Sequence, residues 1–155
     1  MTILVEVEWH RLVFSNSERA DDFGFAGFDV VLVETVGVGQ DEVDIVKLAD
    51  ISIVVLVPGM GDDIQALKAG IMEIGDIFVI NKCDRPGVEK MERAIQAMQS
   101  LAPHTKDWEP PIVRVTATEG DGIEELSRAI ADCHSAFQSQ PIEGDRRRRA
   151  TRDRL

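Results

Sequence analysis

The tetrapeptide Asn81-Lys82-Cys83-Asp84 closes the apolar run Ile77 to Asn81, and its residue types can read a purine base. An aspartate at a strand end can accept two hydrogen bonds from N1–H and the exocyclic amino group of guanine. Adenine presents a mismatched edge, and a site built for such a pair rejects an analogue that cannot complete it. The Lys82 stem would lie over the base plane, and the Asn81 amide would brace neighbouring loops. The same four residues also suit a plain turn, with Asp84 opening the loop into Arg85-Pro86-Gly87. Their place after an apolar strand favours the base-reading role.

Two other segments carry chemistry of the same kind. Glu34-Thr35-Val36-Gly37-Val38-Gly39-Gln40 follows the run Phe28 to Glu34. A carboxylate ending a strand, with glycine three residues later, suits a Mg²⁺ site. Glu34 would hold a metal-bound water, and the Gly37 amide could approach a γ-phosphate because no side chain blocks it. The pattern resembles the DxxG signature of GTPases with glutamate for aspartate, and a glycine-rich turn capped by Asp41 is the structural alternative. Val38 stands where many small GTPases place a water-orienting glutamine, so hydrolysis should be slow or rely on Gln40. The third segment, Thr116-Ala117-Thr118, lies 32 residues beyond Asp84. In GTPases a small Ser/Thr-Ala turn there lets a backbone amide reach the guanine carbonyl oxygen.

Four β-branched runs must position these residues: Phe28 to Glu34, Ile51 to Val57, Ile77 to Asn81 and Ile112 to Thr116. Most are apolar without alternation, as in strands buried on both faces of a parallel sheet. Between them Ile64, Leu67, Ile71 and Ile74 repeat at helical spacing, as do Val88, Met91, Ile95, Met98 and Leu101, then Ile123, Leu126, Ile130, Cys133 and Phe137. With a shorter helix over Asp41 to Leu48, strands and helices alternate. The expected class is α/β, one mainly parallel sheet with helices on both faces. In such sheets ligands sit at the C-terminal strand ends, where all three segments fall. Residues 1–26 fit less well: Ile3, Val5, Val7 and Trp9 alternate as in an edge strand, and Ser15 to Phe23 reads as turn or irregular helix.

Composition narrows the function classes. The net charge of −11 disfavours phosphate backbones and anionic lipid, so neither nucleic acid nor membrane is an expected partner. The exception is residues 141–155, where six arginines make a +3 tail against −14 in the rest. Two cysteines are too few for a disulfide framework and point to a reducing, cytoplasmic setting. The three histidines, His10, His104 and His134, have no metal-ligand spacing. None of the five lysines follows a glycine, so no GxxxxGK[ST] loop is present to cradle β- and γ-phosphates.

From Gly27 to about Arg149 the chain resembles the metallochaperone GTPases associated with methylmalonyl-CoA mutase, the MeaB/ArgK type also known as lysine/arginine/ornithine transport ATPases. The resemblance rests on GFDVVLVETVGVGQ from Gly27, on Pro58-Gly59-Met60-Gly61-Asp62-Asp63 through Glu73, on Asn81 to Asp84, and on Trp108-Glu109-Pro110-Pro111. It implies a P-loop GTPase fold, GTP and GDP as ligands, Mg²⁺ as cofactor, and hydrolysis of GTP to GDP. It also implies a partner mutase whose adenosylcobalamin loading is guarded, with Asp62, Gln65 and Lys68 as polar readers in a mobile switch. Family members dimerise through C-terminal helices, so the arginine tail would start a homodimer arm. The family's P-loop and first switch should precede Gly27, and residues 1–26 do not match them. The expectation is an N-terminally truncated core over 27–140 with impaired activity, or a non-catalytic interaction module.

Overall fold

The structure, a computed structural model, describes residues 2–7, 12–16, 30–35, 49–59, 75–101 and 108–139. They fall in two compact units, Met1–Ile53 with Asp132–Leu155, and Val54–Ala131. The expected helices over Asp41 to Leu48 and Ile64 to Ile74 lie outside the described residues.

In the first unit, strand β1 (Thr2–Val7) pairs antiparallel with β3 (Val30–Thr35), setting Ile3 opposite Glu34. Strand β2 (Leu12–Asn16) pairs parallel with the same β3, setting Asn16 opposite Glu34. The alternation at Ile3, Val5 and Val7 thus marks a real strand, though one inside the sheet and not at its edge. By contrast β2 takes in Ser15 and Asn16, which read as the start of a turn. Its apolar part is only Leu12 to Phe14, too short a run to announce a strand without its partner.

Strand β4 (Ile51–Leu56) begins in the first unit and ends in the second, and β4, β5 (Ile77–Asn81) and β6 (Ile112–Val115) lie side by side in that order as a parallel three-stranded α/β sheet with two helices. Residues Ile77 to Ile80 are all buried, which is why the run shows no polar alternation. Helix α1 (Val88–Gln99) begins after Gly87, whose φ of 104° needs a residue without Cβ and whose carbonyl accepts the Met91 amide at 3.1 Å. Its buried residues Val88, Met91 and Ile95 join Val54, Phe78 and Ile80 in one core. Leu101, the last residue of the expected stripe, lies beyond the helix and is 83% exposed. Helix α2 (Ile123–Ser139) follows β6, and its residues from Asp132 on, with the fully buried Cys133, belong to the first unit.

The α1–β6 connection is tied down at two points. The Trp108 indole donates to the Asp76 carbonyl at 2.9 Å, and the Gln99 amide donates to the Pro110 carbonyl at 2.7 Å. Both bonds fix the approach to β6 just before the Phe78 amide is accepted by Pro111 at 2.9 Å. No helix among the described residues is long and apolar enough to cross a membrane.

Candidate functional site

Parallel pairing sets Asn81 opposite Val115, so the exits of β5 and β6 leave the sheet side by side. The Cys83 amide extends this ladder by one step, donating to the Val115 carbonyl at 3.1 Å. Between them Lys82 takes a left-handed conformation, φ 60°, unusual for a residue with a Cβ and costing about 1–2 kcal/mol. Two bonds offset that cost. The Lys82 amide donates to Asn81 Oδ1 at 2.7 Å, and the Lys82 carbonyl accepts the Arg85 amide at 3.0 Å, closing a turn over Cys83 and Asp84. The turn leaves Lys82 and Asp84 exposed, and within the described residues nothing engages the Asp84 carboxylate.

Asn81 Oδ1 accepts a second bond, from the Ala117 amide at 3.2 Å. One side-chain oxygen therefore joins the two strand exits. The loop after β6 is closed by backbone bonds: the Thr116 amide donates to Asp121, and the Thr116 carbonyl accepts the amides of Glu119 and Gly120 at 2.9 and 3.1 Å. Thr116 is buried by this folding back, while Ala117 faces outward. The structure thus gathers Asn81, Lys82, Asp84, Thr116 and Ala117 around one surface. Glu34 is the last but one residue of β3, and its side chain is outside the described set. Gly37, Gln40, Asp62, Gln65 and Lys68 lie outside the described residues altogether.

The cation on the neighbouring strand is already paired. Arg114 on β6 bonds Glu92 and approaches Glu89 at 4.0 Å, so its guanidinium is tied to α1; the Glu92 bond, then its charge, raises the Arg114 pKa further. Cys83 is half-buried, and its thiol donates to the Ile80 carbonyl at 3.1 Å. Desolvation pushes its pKa above the ordinary thiol range, outweighing the Val115 bond and the nearby Arg114 charge that lower it.

A raised pKa means that the folded state holds the thiol proton more tightly. The associated stability is present below the ordinary thiol value and lost as pH rises through the raised one. Folded Cys83 should therefore react with iodoacetamide at pH 8 several-fold more slowly than in urea, with stability declining only in the alkaline range. Peptide mass spectrometry of timed quenches measures the rates, and equal rates would remove this account of the turn.

Residue spacing did not reveal that Asn81 would accept both amides, or that Gly122 packs against β6. The only local hint was the Gly120-Asp121-Gly122 cluster before α2.

A family model described as methylmalonyl Co-A mutase-associated GTPase MeaB matches residues 20–155. A relative from Pyrococcus horikoshii is 47% identical over 114 residues, 72% of this chain and 36% of that protein. GTPase ArgK of Escherichia coli is 39% identical over 116 residues, again 72% of this chain and 35% of the relative. Among solved structures, a LAO/AO transport system kinase superposes with a TM-score of 0.67 at 32% identity, covering 83% of this chain and 42% of that one. The chain spans about a third of the length of these curated relatives.

Proposed function

The chain belongs to the family of methylmalonyl-CoA mutase-associated GTPases of the MeaB type, and from that premise we propose that the exits of β5 and β6 hold the guanine base of GTP and GDP. The observation that carries this reading is the Asn81 Oδ1 link to the Ala117 amide beside an exposed, unengaged Asp84 carboxylate. Asp84 accepts from the base N1–H and 2-amino groups. The Lys82 stem covers one base face, and the Ala117 amide, held at the long end of hydrogen-bond range, turns part of its donation to guanine O6. Thr116 anchors that amide from inside the loop.

For hydrolysis in the family, Glu34 is the residue we assign to a magnesium-bound water, Gly37 to the γ-phosphate through its amide, and Gln40 to orienting the attacking water. A bound magnesium ion supplies charge neutralisation at the phosphates. Asp62, Gln65 and Lys68 would report nucleotide state to the mutase, whose adenosylcobalamin loading or protection is the process served. A homodimer would form through the arm begun by residues 141–155. Because no lysine follows a glycine in this chain, its own residues offer base contacts without a phosphate cradle. We therefore assign it weak, guanine-selective binding with little turnover. The same missing cradle favours a second reading, a non-catalytic module that contacts the mutase.

Titration of the purified chain with fluorescent GDP and ADP analogues in Mg²⁺ tests the first reading. Binding of the guanine analogue at least tenfold tighter than the adenine one is expected. Equal binding, or none, together with capture of the mutase would replace it by the second.

A further inference from the structure

Two glycines in the loop after β6 have left-handed backbones, and they differ in what surrounds them. Gly120 has φ 80° and open space where a Cβ would stand. Gly122 has φ 76°, and a Cβ there would overlap the Arg114 carbonyl oxygen and press on Arg114 C and Val115 Cα, both at 3.1 Å. Those are backbone atoms of β6, paired with Ile80 and Asn81 of β5, so they cannot give way without disturbing the base-side strand. The Gly122 carbonyl also accepts the Leu126 amide at 3.0 Å, which joins the loop to the first turn of α2.

Resting on the base-reading role above, we propose that Gly122 is a positioning residue for guanine recognition. Its missing Cβ lets the loop from Thr116 to Gly122 close on the end of β6 and so sets the Ala117 amide at the O6 edge of the base. The amide has little slack: it is 3.2 Å from Asn81 Oδ1, at the outer edge of a good hydrogen bond. A loop displaced by a methyl group against β6 carries the Ala117 amide away from Asn81 while leaving the turn that presents Asp84 intact.

The test separates the two edges of the base in the full chain. GDP against 6-thio-GDP reads the contact to O6, because sulfur is a poor acceptor, and GDP against IDP reads the 2-amino group held by Asp84. In Gly122→Ala the first ratio should narrow by about three- to tenfold while the second stays. Gly120→Ala, with the same backbone strain and no overlap, should leave both ratios unchanged. Should Gly122→Ala fail to fold, Glu119→Pro removes one of the two amides accepted by Thr116 and must narrow the same O6 ratio. A guanine-selective parent whose O6 ratio is untouched by either change overturns the role of Gly122 alone. A parent with no guanine preference overturns the base-reading role, and this inference with it.

Discussion

Asp84→Asn should lower affinity for GDP about a hundredfold and transfer preference to the xanthine nucleotide. Hydrogen bonds to a charged partner contribute roughly 1.5–3 kcal/mol each, and the carboxylate would make two of them to N1–H and the 2-amino group. Asparagine keeps one neutral acceptor and turns a donor toward another donor, a net loss of about 3 kcal/mol, or a factor near one hundred. Xanthine carries a carbonyl where guanine carries the amino group, so the same asparagine would pair with both of its atoms. Asp84 is exposed in a turn, so the fold should change by less than about 0.5 kcal/mol. Competition between GDP and xanthosine diphosphate, read with a circular-dichroism spectrum of each protein, measures it. Unchanged GDP affinity in a folded variant would remove Asp84 from the base site.

The largest expected effect on stability comes from Phe78→Ala. Phe78 has no exposed surface and is the largest fully buried side chain of the core shared with Val54, Ile80, Met91 and Ile95. Its ring lies so close to Gly75 that a Cβ there would come within 2.7 Å of Phe78 Cζ, which shows how fully the space is used. Removing the ring forfeits its burial and leaves a cavity among Val54, Ile80, Met91 and Ile95, a cost of about 3–5 kcal/mol. Domains have only about 5–15 kcal/mol in total, so much of the margin would go. Urea titration of the full chain should show the midpoint falling sharply with little change in slope. A shift equivalent to less than about 1 kcal/mol would mean that Phe78 is not packed as described.

Much of the second unit was legible in the residue order. The run from Ile77 to Asn81 coincides with β5, and the spacing of Val88, Met91 and Ile95 marks the face that α1 buries. These features are legible because burial acts on each residue according to its own period along the chain. Leu101 shows the limit: it continues the spacing, yet the helix has already ended at Gln99. Strand β2 shows another, since three apolar residues become a strand only through pairing with β3.

The candidate site divides in the same way. By itself the sequence determined that the polar tetrapeptide from Asn81 to Asp84 follows a buried strand and that a small Thr-Ala turn follows another, because both are local patterns of residue type. Only the tertiary structure decided that the two meet through one asparagine oxygen, that Lys82 turns left-handed between them, and that Gly122 must lack a Cβ. These depend on the parallel register that sets Asn81 opposite Val115. Register is a relation between residues more than thirty positions apart, set by the packing of whole strands, and no local spacing encodes it.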